Sequence, residues 1–384
     1  MGSLGRYAQT CPIIYGVGAI NVLGEEVKKL GCSKVMVVSD QNVSRLEIYA
    51  KSKKSLQDAG VQVVEFTKVI PDPPDYIINE GGEIAKAEQI DGIVAVGGGS
   101  PMDAAKGINV LVNNPGPVNQ YFGNPFYQPG VPVVMVVTTA GTGSESTSVG
   151  VITDTINNVK NSVIVNATLG ILDPEATISV PAEMTAATGM DAFAHAAEAI
   201  TAKMPNPKSE LLSVAAIKKI VANLPEAMAD GNNIKARGEL LLASNFAGIA
   251  FNDALVHLGH CIAHSAGAKF HVTHGIACAL ALPEVMKYAA RIDAEKVKII
   301  GEAMEISFSG LESAGEIGEM VAEAIRRFNR KVQIKSFKEL GISRADLLAI
   351  APMVLQDACY QFVPRELEKE EVSTILGDIY DNYQ

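Results

Sequence analysis

The chain has 384 residues, 48% of them hydrophobic and 20% charged, with a formal net charge of −11. That length is more than one compact core usually fills, so two domains are expected. The acidic balance argues against nucleic acid or an anionic membrane as a main partner, and no apolar run of about 18 residues predicts a membrane span.

The opening Met1–Arg6 carries neither an apolar leader core nor the hydroxyl residue of a myristoylation signal, so neither is expected. Strand-like runs then alternate with helical stretches. Lys34–Asp40, Val61–Phe66, Asp91–Val96 and Pro132–Val137 are β-branched runs; Gly24–Leu30, Leu46–Ala59 and Asn79–Glu88 have helical character. This alternation predicts a parallel sheet covered on both faces, with ligands at the carboxyl ends of the strands. After Ile178 the chain turns rich in Ala, Leu, Met, Glu and Lys at helical spacing, as in 211–224, 236–254, 294–304 and 314–328. The expected division is an α/β domain over 1–185 and an all-α domain over 186–384. Five scattered cysteines (Cys11, Cys32, Cys261, Cys278 and Cys359) form no C-x-x-C and fit buried thiols in a reducing cytoplasm.

Two polar turns follow strands in the first half. Val94–Val96 runs into Gly97-Gly98-Gly99-Ser100-Pro101-Met102-Asp103, where glycines let a pyrophosphate approach the backbone and a helix N-terminus holds its charge. It is not a G-x-G-x-x-G fingerprint, since Met102 takes the sixth place. Thr138-Thr139-Ala140-Gly141-Thr142-Gly143-Ser144-Glu145 offers hydroxyls and amides suited to phosphate or ribose. Each turn alone also fits a bare strand-to-helix connection. Asp40 ends an early strand, where an acid can bind the adenosine ribose and disfavour a 2′-phosphate, although many strands simply end in Asp.

All six histidines lie between residues 195 and 274, five of them between 257 and 274. Asp191 and His195 stand at i and i+4, which puts a carboxylate and an imidazole on one helical face. Such donors bind Zn²⁺, Fe²⁺ and related ions. His257, His260 and His264 repeat at helical spacing, and His271 and His274 follow; spacing alone leaves open which two complete a site.

The residues together resemble the iron-containing (group III) alcohol dehydrogenases, which include lactaldehyde reductase and 1,3-propanediol dehydrogenase. The resemblance runs nearly end to end and is carried by the turns 97–103 and 138–145, by Ala-Thr-Gly-Met-Asp-Ala-x-x-His at 187–195, and by His260-x-x-x-His264 with His274-Gly275 beyond. It implies that Asp191, His195, His260 and His274 bind one divalent metal, Fe²⁺ first, with Zn²⁺ or Mn²⁺ as alternatives. It places His264 beside nicotinamide and substrate, outside the metal's ligand set, where an imidazole is a candidate proton relay. It assigns Asp40 to the adenosine ribose, Gly98, Gly99, Ser100 and Asp103 to the pyrophosphate of NAD, and Thr138, Thr139, Thr142 and Lys160 along the dinucleotide. Val149, Val151, Phe251 and Cys359 correspond to substrate-pocket positions. Thr273 stands where the family often has Pro, and Val363-Pro364-Arg365 replaces Asn-Pro-Arg.

The expected activity is metal-assisted hydride exchange between a small primary alcohol or its aldehyde and NAD(H), in a cytoplasmic homodimer. A zinc glycerol dehydrogenase, a dehydroquinate synthase-like lyase and a non-catalytic NAD or metal sensor are the alternatives. The lyase calls for a cluster of cations near the metal, whereas Lys269 alone stands in the ligand loop. Lys269 and Arg365 leave an anionic aldehyde open.

Overall fold

Runs of Val, Ile and Met with no charged residue cannot face water on either side, and here they do not. In a computed structural model, which describes residues 7–9, 11–157 and 159–383, they form a six-stranded, wholly parallel sheet. The Met1–Arg6 opening lies outside the described residues. The chain divides into two compact units, Ala8–Val180 and Pro181–Gln384, the latter with Tyr7.

In the first unit the strands are β1 (Ile13–Tyr15), β2 (Lys34–Asp40), β3 (Gln62–Val69), β4 (Gly92–Gly97), β5 (Val133–Val137), β6 (Val149–Asp154), β7 (Val159–Ile164) and β8 (Leu169–Leu172). The helices are α1 (Leu23–Lys29), α2 (Glu47–Asp58), α3 (Asp75–Ala87) and α4 (Gly99–Val112). The main sheet runs in the order β1-β8-β5-β4-β2-β3. Val35, Val37, Val94, Val96, Val134 and Val136 point to the side filled by Leu23, Val27 and Leu56, while Met36, Val38, Ile93 and Met135 are equally buried on the other. The chain runs outward from β2 to β3 and returns to place β4 on the other side of β2. The carboxyl ends of β2 and β4 therefore flank a topological switch point, where open α/β sheets bind ligands. Asp40 ends one strand and Gly97 the other.

Three differences from the expected elements have simple causes. The strands β1 and β8 are three and four residues long, too short for a periodic signal. β6 and β7 form a separate antiparallel pair. α3 begins at Asp75 rather than 79, immediately after Pro74, whose fixed extended backbone ends the preceding loop.

The second unit is helical: α5 (Ala182–Thr201), α6 (Pro207–Ala229), α7 (Ile234–Ala254), α8 (Leu258–Phe270), α9 (His274–Ala290), α10 (Ala294–Ala303), α11 (Ala314–Lys331), α12 (Arg344–Leu348), α13 (Ala351–Gln356) and α14 (Lys369–Asn382). α5 packs against α6, α7 and α9, and α8 against α9. Its alanine-rich sequence permits those approaches, and Thr185–Thr201 is buried almost throughout. Among the described residues no single helix is long and apolar enough to cross a membrane.

Candidate metal centre and dinucleotide turn

α5 carries Asp191, His195 and Glu198 at i, i+4 and i+7, hence on one face. α9 can bring His274 to that face because Gly275 has no side chain. A Cβ there would lie 1.9 Å from the Ala187 carbonyl oxygen. α8 contributes His260.

Asp191 Oδ1 lies 3.4 Å from His274 Nε2, 3.8 Å from His195 Nε2 and 3.9 Å from His260 Nε2. Donors bound to one ion at ~2.1 Å and tetrahedral angles stand ~3.4 Å apart, so these three separations match or slightly exceed those of a shared coordination sphere. Asp191 and His260 are 4% and 2% exposed, yet Asp191 Oδ1 and His260 Nε2 have no hydrogen-bond partner. Two orphaned buried lone-pair atoms facing each other are costly; a cation between them satisfies both. The residues fit the divalent ion that the sequence implies.

The surroundings keep those lone pairs available. Burial, with His195 and His264 as neighbours, holds His260 far below its ordinary value and therefore neutral. Glu198 accepts from His260 Nδ1, which turns Nε2 toward Asp191, and it also accepts from the backbone N–H groups of Gly259 and His257. A carboxylate behind a metal-facing histidine is a recurrent arrangement. Phe251 stacks on the His195 ring at 4.2 Å.

His257 departs from the expected helical face. It precedes α8 at the N-cap, wholly buried, with Nε2 2.9 Å from Thr201 Oγ1, and burial lowers its pKa. It is a core histidine supporting Glu198. His271, with φ 57°, is the left-handed C-cap of α8. His264 stacks on His274 at 5.3 Å, and its Nδ1 meets Asp357 Oδ2 at 2.9 Å. Burial works to raise Asp357, but its contact with His264 leaves it below the ordinary carboxylate value. Cys359 adjoins this pair: its backbone N–H donates to Asp357 Oδ1, and burial and Asp357 push its thiol up.

In the α/β unit, Gly98 caps α4 without a side-chain partner, which leaves the first-turn amides of that 14-residue helix for an anion. A Cβ on Gly98 would stand 2.8 Å from Thr139 Oγ1, and one on Gly99 2.9 Å from Thr142 Cγ2. The glycine turn thus packs directly on the threonine turn. Thr139 Oγ1 is buried with no partner, so a donor or acceptor is wanted beside the glycine turn. Thr138 N–H donates to Gly97 O at 3.0 Å, tying the two turns together. Ser100 sits in the first turn of α4 with Asp103 following.

Asp103 accepts from Ser144 Oγ at 2.8 Å, and burial raises its carboxyl despite Lys106 nearby. Asp40 Oδ1 accepts from the N–H groups of Asn42 and Val43, shaping its own turn at the switch point. Lys160, on β7, pairs with Asp72 at 2.6 Å. Val149 and Val151 share the half-buried face of β6.

Four groups went unassigned from the sequence. Glu198 and Cys278 follow the histidine and aspartate signals at helical spacing, seven after Asp191 and four after His274. Asp357 stands two before Cys359. Lys106 is wholly buried, and its ammonium donates to the carbonyls of Ser144, Thr147 and Val149. A lone lysine in an apolar helix was the available sign.

Residues 11–174 match the family model for iron-containing alcohol dehydrogenase, and residues 185–380 match that for the C-terminal region of the same family. The NAD-dependent methanol dehydrogenase of Bacillus methanolicus is 36% identical, over 94% of this chain and 96% of the relative. The 1,3-propanediol dehydrogenase of Citrobacter freundii is 38% identical, over 95% and 96%. A crystal structure of a 1,3-propanediol oxidoreductase superposes with a TM-score of 0.94 at 35% identity, covering 98% of this chain and 100% of the other. With its parallel-sheet unit, helical unit and histidine-aspartate centre, this chain belongs to the iron-containing alcohol dehydrogenases, metal-dependent oxidoreductases that couple alcohols and aldehydes to NAD(H).

Proposed function

We propose that the chain interconverts a small, uncharged primary alcohol and its aldehyde. Asp191, His195, His260 and His274 hold Fe²⁺ in this reading, and the turns at 97–103 and 138–145 hold NAD(H). The observation that carries it is the orphaned pair Asp191 Oδ1 and His260 Nε2, ringed by imidazoles. When bound, the ion supplies Lewis-acid polarisation of the substrate oxygen and the nicotinamide supplies hydride exchange.

The chain's own residues set the conditions for that chemistry. Glu198 fixes the His260 tautomer, and burial keeps the imidazole neutral. Asp357 holds His264 through Nδ1, so Nε2 is the atom that takes up or returns the substrate proton. Gly98, Gly99, Ser100 and Asp103 form the pyrophosphate turn, with Thr138, Thr139, Thr142 and Lys160 along the dinucleotide. Asp40 selects NAD over NADP by repelling a 2′-phosphate.

Phe251 against His195 favours an apolar substrate next to that ring; Cys359 on the helical unit, and Val149 and Val151 on the α/β unit, are the further residues proposed for substrate. The relatives named for methanol and 1,3-propanediol support small alcohols. Of the two cations that left an anionic aldehyde open, Arg365 is engaged with Glu371 at 2.6 Å. The five free cysteines support a reducing cytoplasm, and two-fold symmetry is the commonest assembly, so a homodimer is proposed.

The test is anaerobic purification, metal analysis, and NADH consumption across short-chain aldehydes with charged and uncharged ends. Turnover of uncharged aldehydes in proportion to bound metal supports the reading. A preference for carboxylated or sulfonated aldehydes overturns the substrate class.

A further inference from the structure

We infer that Cys278 is a metal-coordinating residue, a sulfur donor added to the carboxylate and imidazoles of the proposed centre. The inference rests on that metal reading and extends it. One donor atom each from Asp191, His260, His274 and Cys278 lies within 4.8 Å of all the others. Cys278 stands one turn after His274 on α9, and its Sγ is 3.5 Å from His274 Nε2. A nitrogen at ~2.1 Å and a thiolate at ~2.3 Å from one ion are about 3.1 Å apart at a right angle and about 3.8 Å apart at about 120°, the range for neighbouring donors in a five-coordinate sphere. The thiol therefore sits at the separation of a ligand already in the sphere.

The second observation is independent of the cysteine. Asp191 Oδ1 and His260 Nε2, in side chains more than nine-tenths buried, are aimed into the same space without hydrogen-bond partners. Cys278 is itself 1% exposed, so no solvent competes for it. On coordination the S–H bond gives its proton to water and the sulfur–metal bond forms; no electrons change hands. A thiolate beside Asp191 supplies a second negative charge against the divalent ion. It also makes the donor set softer, which favours Zn²⁺ or Fe²⁺ over Mn²⁺.

The experiment is X-ray absorption on the full-length protein loaded with zinc, together with competition titrations for Zn²⁺ and Mn²⁺. The expected spectrum has a sulfur shell at about 2.3 Å that is absent in Cys278→Ser. Zinc affinity of that variant should fall about ten- to a hundredfold, and Mn²⁺ affinity far less. The Cys261→Ser/Cys359→Ser double variant should keep the sulfur, which assigns it without touching Cys278 should Cys278→Ser fail to fold. A wild-type spectrum with nitrogen and oxygen only overturns the inference and leaves the four-ligand site standing. A sulfur shell that disappears in the double variant overturns it as well. A wild-type chain that binds no stoichiometric zinc removes the metal reading itself.

Discussion

Glu198→Gln exchanges one carboxylate oxygen for an amide NH₂ in a closed pocket with three donors, His260 Nδ1 and the N–H groups of Gly259 and His257. The side chain is 0% exposed, so water cannot repair a mismatch. Glutamine keeps one acceptor, loses the negative charge, and sets its own N–H groups against a donor. Losing one charge-assisted hydrogen bond costs about 1.5–3 kcal/mol. If that cost falls on the orientation of His260, metal affinity drops roughly ten- to a hundredfold, the scale known for carboxylates behind metal-bound histidines. Zinc affinity is read by competition with a chromophoric chelator, with circular dichroism as a control for folding. NADH-linked turnover at saturating metal then reports whether catalysis recovers when the site is refilled. An affinity within about threefold of wild type in a folded variant would refute the role given to Glu198.

Gly98→Ala should weaken NADH binding about tenfold or more while leaving metal content unchanged, because the new Cβ meets Thr139 Oγ1 at 2.8 Å; calorimetry on the variant decides it. His264→Ala should lower kcat about 10²- to 10³-fold with bound metal intact, and an unchanged kcat would remove His264 from proton transfer. Lys106 gives a pH signature in stability. Burial depresses its pKa from 10.5 to about 8, partly offset by Asp103 and Glu145. Below pH 8 both folded and unfolded chains carry the proton, and folding bears the full cost. Between about 8 and 10.5 only the unfolded chain holds it, so this group makes stability rise with pH, by about 3 kcal/mol in all. The urea midpoint of wild type should therefore rise relative to that of Lys106→Met from pH 8 to 10, and a constant difference would contradict the buried charge.

How much of this was legible in the sequence depended on the range of the interaction concerned. β2, β4 and β5 are buried on both faces, so their β-branched runs stand out without alternation. β1 and β8 depend on neighbours supplied by the rest of the sheet. Asp191 and His195 were readable because a helix fixes the geometry of i and i+4. Choosing His260 and His274 needed the family resemblance, since their meeting depends on α8 packing against α9, on α9 packing against α5, and on Gly275 passing beside Ala187. His257 has the right spacing but falls before the helix begins, so periodicity misplaced it. Cys278 stands one helical turn after His274 but gains meaning only once that histidine is placed, and Asp357 carries no periodic signal of its own.

The central claim is that one ion, held in part by His260, is what makes this chain an alcohol dehydrogenase. The direct measurement compares metal content, NADH binding and aldehyde-dependent NADH oxidation in wild type and His260→Ala, both prepared anaerobically. The account predicts about one divalent ion per wild-type chain, and a variant that still binds NADH but has lost metal and turnover together. A folded His260→Ala protein that keeps both its metal and its turnover would contradict it.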